Sequence, residues 1–178
     1  MRVLRAAARG AVPWRNGGGV TRSIAAHPEG AGTADFIWRV SLADVGADGP
    51  FSGFPGVERI LTVVEGAGMD LTVGGQRRLV DEKFVPQRFP GDAPTDCRLL
   101  AGPVVNFNVM YRRGHPAPSV AVVRGDVTIA GPALVVALDA PAHVDGVRLG
   151  CYDAVLTEAQ PVRVRAEGHT AVVTLPTR

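Results

Sequence analysis

Lysine is almost missing from this 178-residue chain: Lys83 is the only one, and it follows Glu82. A P-loop is therefore excluded, because GxxxxGKS/T needs a lysine directly after glycine. A dinucleotide loop fails too, since counting GxGxxG from Gly17 and Gly19 ends on Arg22. Cysteine is equally scarce. Cys97 and Cys151 stand far apart and match neither a CxxC pair nor a secreted disulfide framework, so they read as two small thiols in a reducing compartment. The four histidines, His27, His115, His143 and His169, form no HxH or HxxxH pair, and no protein-ligated metal or other cofactor is expected. No GxSxG elbow is present, and no catalytic residue can be named. No apolar run approaches the roughly 18 residues of a membrane span, and "MRVLRAAARG" lacks the apolar stretch of a secretory signal. The expectation is a cytoplasmic protein with no membrane partner. The net charge of +2 is spread thinly, so no nucleic-acid partner is expected either.

What is abundant is glycine, at 22 residues, together with 14 prolines and a 46% share of hydrophobic residues. These breakers cut the apolar residues into runs too short for stable helices, which predicts a β-rich domain with a real core. "FIWRVSL" sets Phe36, Trp38, Val40 and Leu42 on one face and Ile37, Arg39 and Ser41 on the other. "MDLTVGGQ" alternates and then turns at Gly74-Gly75, a hairpin signal. "ERILTVV", "RLLAG", "VNFNVMYR", "SVAVVRG", "ALVVALD", "DAVLT", "VRVRA" and "TAVVTL" are further strand candidates. Many short strands at even spacing argue for a sandwich or barrel. "SLADVGA" is the best helix candidate. The prolines of "RRGHPAPS" mark a junction, giving halves at 1–113 and 114–178. A weak echo between "EGAGMDLTVGGQ" and "EAQPVRVRAEGH" hints at duplication of a strand ending in a glycine turn.

The remaining polar residues do not titrate near neutrality and sit among aromatics and glycines. Trp14, Arg15, Asn16 and Thr21 flank the glycine triplet; Arg39 and Ser41 share a strand face; Arg59 opens another strand; Asn106 and Asn108 share a face of "VNFNVM". An arginine fork, carboxamides and closely approachable backbone N–H groups suit a small carboxylate. A tight loop at "NGGG" with arginines snorkelling at a barrel mouth is the plainer alternative.

In order along the chain, "VPWRNGGGVTRSIA", "FIWRVSLADV", "GPFSGFPGVERILTVVEGAG", "FPGDAPTDCRLLAGPVVNFNVMYRR" and "LGCYDAVLTE" resemble the HutD/Ves family. The resemblance implies an all-β bicupin, two cupin-like double-stranded β-barrels in one chain without the usual histidine metal triad. It also implies a pocket in the N-terminal half formed by Trp14, Asn16, Gly18, Thr21, Arg39, Ser41, Phe51, Phe54, Arg59 and Asn108. HutD-type members are associated with histidine utilisation, and Ves-type members with stress response. The expected function is non-catalytic binding of a small carboxylate such as urocanate, formylglutamate or formate. A metal-independent isomerase or hydrolase using Glu65, Asp92 or a histidine is the alternative. A homodimer through sheet edges is expected. One departure from the family pattern is Asn106 in place of an aspartate before Phe107, a loss that would free an arginine if the two paired.

Overall fold

The computed structural model describes residues 1–176, so the last two residues of the expected 114–178 half lie outside it. The described strands, in chain order, are β1 (Arg2–Leu4), β2 (Val12–Pro13), β3 (Gly19–His27), β4 (Trp38–Val45), β5 (Gly49–Pro50), β6 (Val57–Glu65), β7 (Met69–Val73), β8 (Gln76–Val80) and β9 (Gln87–Pro90). They continue with β10 (Thr95–Leu99), β11 (Val104–Arg112), β12 (Ser119–Ile129), β13 (Ala133–Ala137), β14 (Ala142–Val144), β15 (Val147–Leu149), β16 (Ala154–Leu156) and β17 (Val162–Thr174). Among the described residues, helix is confined to one 3-10 turn, Ala6–Ala8. No described helix is long and apolar enough to cross a membrane.

The chain divides into two compact units. Gly10–His115 forms one, and Met1–Arg9 joins the chain from Pro116 onward in the other. The first unit has a six-stranded sheet, β2-β3-β4-β11-β6-β9, and a four-stranded sheet, β5-β10-β7-β8. Their facing sides share one core: Val45, Leu61, Val63, Phe89 and Val104 from the large sheet meet Met69, Leu71, Val73, Val80 and Cys97 from the small one. The second unit is a seven-stranded sheet, β1-β16-β13-β17-β14-β15, with β12 lying on β17. Its core draws Val135, Ala142, Val144, Leu149, Val155 and Val164 from five of those strands, so the sheet curls on itself. Each sheet runs as an open path between edge strands.

Two local expectations change. "SLADV" is not helical but lies in β4, paired on both sides by β3 and β11. So short a run has little helical stability of its own, and ladders on both sides engage its backbone as a strand. "VRVRA" and "TAVVTL" are one strand, β17, and "EGH" is a bulge within it: the register with β12 passes from Arg124↔His169 to Gly125↔Ala166. Gly74-Gly75 does make the hairpin turn between β7 and β8, so the supposed echo joins two different structures and gives no support for duplication.

Candidate functional site

Residues opposite one another in antiparallel strands point to the same face, so register assigns the interior of the Gly10–His115 unit directly. Leu61 and Val63 of β6 belong to its core, which puts Arg59 on the inward face as well. Arg59 lies opposite Met110, which lies opposite Arg39. The next inward row is Gln87, Leu61, Asn108, Ser41 and Ser23; the one after holds Val63, Asn106, Ala43 and Thr21. A sheet that supplies half of an apolar core thus also presents a compact polar field on that same face.

Arg59 is its most unusual member, only 6% exposed. Its guanidinium carbon lies 5.1 Å from the ring centroid of Phe51, 5.3 Å from Phe89 and 5.9 Å from Phe54. The rings offer their negative faces, each such contact contributing about 0.5–2 kcal/mol. No carboxylate pairs with it among the described residues, and its Nε is buried without a partner. Burial pushes the Arg59 pKa down to about 10. An aromatic cage without a counter-ion leaves the cation poorly compensated, and an anion entering there would restore the balance. Half-buried Arg39 is shifted downward for the same reason.

Trp14 backs this cage. Its ring meets Phe51 edge-on at 5.9 Å, and its Nε1 donates to Thr21 Oγ1 at 2.8 Å. The triplet that follows holds Trp14 in place. Gly17 takes a φ of +72°, and Gly18 N donates to Asn16 Oδ1 at 3.0 Å. A Cβ on Gly19 would stand 2.4 Å from the Asp44 carbonyl oxygen and 3.2 Å from the Trp14 ring, so only glycine fits between them. Exposed Asn16 spends its amide within the same loop and on the Pro50 carbonyl at 3.3 Å. Of the residues expected at the pocket, Phe51, Phe54 and Arg59 are in direct contact. Trp14 and Thr21 join through Phe51, Ser41 and Asn108 face each other, and Arg39 lies one strand beyond Met110. Asn16 and Gly18 are engaged in building the loop.

Sequence reasoning missed Phe89 and the clamp beside it. Arg113 donates to Asp92 through Nη1 at 2.7 Å and Nη2 at 2.9 Å, and through Nε to Glu58 at 2.7 Å. The hydrogen bonds from Arg113 hold the Asp92 pKa down to about 2. Gly91 joins this clamp to the cage, accepting from Phe54 N at 2.8 Å and donating to Val57 O at 2.7 Å. The alternation of Gln87 and Phe89 was the available signal for the third ring. Asn106 stands opposite Val63, four residues from Arg59, or about 13 Å at strand spacing. A carboxylate at 106 would stand two inward positions from the Arg59 row.

Other clusters offer less. Asp92, one candidate acid, is tied to Arg113; Glu65 is exposed at the end of β6. His27 stacks on Trp38 at 6.0 Å, and His169 Nδ1 meets Asp139 Oδ2 at 2.7 Å. No described group of three His, Cys, Asp or Glu side chains is placed to hold a metal, and the inward polar residues are amides, hydroxyls and guanidinium groups. In the second unit a groove of about 440 Å³ is lined by His143, Asp145, Gly146, Arg163 and Arg165. It is open, and Arg163 already pairs with Asp126 at 2.8 Å.

The HutD family pattern matches residues 6–174. An uncharacterized 21.2 kDa protein in the hutC 3′ region of Pseudomonas putida is 40% identical over 111 residues, 62% of this chain and 58% of that protein. Protein Ves of Cronobacter sakazakii is 36% identical over 110 residues, 61% of this chain and 59% of its own length. The chain thus aligns with under two thirds of the length of these relatives. The solved structure of HutD from Pseudomonas fluorescens SBW25 (formate condition) superposes with a TM-score of 0.89 at 34% identity, covering 99% of this chain and 98% of that one. A cupin 2 conserved barrel domain protein from Leptotrichia buccalis shares the fold at 12% identity, with a TM-score of 0.58 and 89% of each chain covered. With an all-β, cupin-like fold and a match along almost its whole length, the chain belongs to the HutD/Ves family.

Proposed function

We propose that this chain is a non-catalytic bicupin that binds a small carboxylate inside the Gly10–His115 unit, with Arg59 as the anion anchor. One observation carries the reading: a guanidinium 6% exposed, faced by three phenylalanines and lacking any described carboxylate partner. A charge-assisted fork to a carboxylate is worth roughly 1.5–3 kcal/mol and would supply the missing counter-charge. Arg39 adds a second positive charge on the same face, and Trp14 fixes the aromatic wall. The acids beside the cage, Asp92 and Glu58, are tied to Arg113, which favours binding over catalysis. Membership of the HutD family and the hutC 3′ neighbourhood of a relative support a role in histidine utilisation, by binding urocanate, formylglutamate or formate. The formate condition of the P. fluorescens structure fits the same chemistry. In this reading the protein is a cytoplasmic homodimer.

The test is thermal shift of EDTA-treated protein with each of these three anions and with unrelated carboxylates. A dose-dependent rise is expected for at least one, by preferential binding to the folded state. The rise should vanish in Arg59→Met. A normal shift in that variant removes Arg59 as the anchor, and no shift in the wild-type protein removes the carboxylate reading.

A further inference from the structure

Arg59 is 6% exposed, so whatever reaches it must first move part of its cover. The three rings of that cover are not equally held. Phe89 is 1% exposed and sits in β9 directly opposite Arg59, within the core of the unit. Phe51, 8% exposed, belongs to the same core, meets Trp14 edge-on and donates from its backbone N to Thr95 O at 2.8 Å. Phe54 is only half-buried, lies farthest from the guanidinium carbon at 5.9 Å, and stands in a stretch, residues 52–56, whose other members are all exposed. That stretch is held by Phe54 N donating to Gly91 O at 2.8 Å and by Arg113 N donating to Gly56 O at 2.9 Å. Gly56 takes a φ of +71°, and a Cβ on Gly53 would meet nothing within 4 Å, so both can absorb a backbone rotation.

Resting on the reading above only for Arg59 as the group to be reached, we propose that residues 52–56 are a lid over Arg59, latched by the Phe54 N to Gly91 O hydrogen bond, and that Arg113 is the positioning residue that sets how often it opens. Exposed segments tied down by few hydrogen bonds open locally at a fraction of the cost of global unfolding. Arg113 grips this one from both sides. Its backbone N holds the Gly56 hinge, its Nε holds Glu58 just beyond the lid at 2.7 Å, and Nη1 and Nη2 hold Asp92, the residue after the latch acceptor Gly91. Gly91 is also where latch and site meet: a Cβ there would stand 2.9 Å from Val57 O and 3.4 Å from both Arg59 Cγ and Phe54 O. Removing the Arg113 guanidinium uncouples Asp92 from Glu58 and loosens the latch, yet takes no group out of the aromatic cage.

Hydrogen exchange of the protein without added anion, followed at each amide by NMR, is paired with phenylglyoxal labelling of Arg59, located by mass spectrometry. The Phe54 amide should exchange about a hundredfold or more faster than the amides of β11, the strand between β4 and β6. Arg113→Gln should speed Phe54 exchange and Arg59 labelling together, by about fivefold. A Phe54 amide as slow as those of β11 in the wild-type protein overturns the lid, and that comparison needs no variant to fold. Arg59 labelling that stays constant while Phe54 exchange accelerates overturns residues 52–56 as the entrance. Acceleration in Arg113→Gln confined to β11, the mark of a merely structural arginine, overturns the role given to Arg113. Neither measurement uses a carboxylate, so failure here leaves the carboxylate reading standing, whereas a wild-type protein that no carboxylate stabilises overturns that reading and leaves the lid.

Discussion

The two units solve the same packing problem with interiors of different polarity. In the unit containing Pro116 onward, the inward positions are Val135, Ala137, Ala142, Val144, Leu149, Val155 and Val164, all with no exposed surface. Its charged groups Arg163 and Arg165 alternate with Val162 and Val164 at the start of β17 and remain exposed, while Thr170, Ala171, Val172 and Val173 further along are buried on both faces. In the Gly10–His115 unit, β6 and β11 carry Arg59, Asn106 and Asn108 inward beside Leu61, Val63 and Val104. Fully burying a valine or leucine contributes about 1.5–3 kcal/mol, whereas an unpaired buried polar group costs about 1–3 kcal/mol. One unit keeps its interior apolar apart from the hydroxyls of Thr157 and Thr170. The other gives up stability at the place where a ligand would recover it, the pattern expected of a site rather than of a scaffold.

The largest effect should come from imposing the polar interior on the dry unit. Val164→Asn leaves an amide with no partner in a closed apolar core, and should destabilise that unit by about 2–4 kcal/mol, read by chemical denaturation. A change under half a kilocalorie per mole would mean that this interior is wet, and the contrast would collapse. The converse change should help. Without ligand, Arg59→Met removes a poorly compensated cation and should stabilise the protein by about 1–3 kcal/mol, as a higher midpoint in the same denaturation. A loss of stability there would show that the three phenylalanines already compensate the charge. The smallest effect concerns the clamp. Because its pKa is held down to about 2, against 3.8 in the unfolded chain, Asp92 contributes stability above pH 4 that is lost as the pH falls through 2. Arg113→Gln should be less stable than wild type at pH 5, with the two curves converging only below pH 2. A difference that is constant across this range would assign the effect to packing instead of to the ion pair.

The contrast between the units also explains what could be read from the residues in order. Strand character follows from local alternation, so "FIWRVSL", "MDLTVGGQ" and "VNFNVMYR" were legible as strands, and Gly74-Gly75 as a turn. "SLADV" misled because a short run of Ser, Leu, Ala and Asp has no strong local preference; pairing on both sides made it a strand. "EGH" misled because a glycine that ends a strand and one that sits in a bulge look alike until the partner strand is known. At the site, Arg59 with Phe51 and Phe54 was anticipated, while Phe89 and the Asp92–Arg113–Glu58 clamp were not, since each depends on segments distant in the chain. The glycine triplet suits either ligand-approaching backbone or a tight loop. Its geometry is that of a loop that seats Trp14 against Phe51.

The all-β class, the family, and the stock of arginines, amides and hydroxyls are legible from the order of residues alone. Those are properties of composition, periodicity and motif, all carried within short stretches of chain. Folding sets which of these side chains face the interior, that three phenylalanines surround Arg59, and that Asn106 and Asn108 share its face with their Oδ1 atoms unpaired. A polar side chain is satisfied or orphaned by what stands across from it, and in a β protein that neighbour comes from another strand, through register that no local window contains.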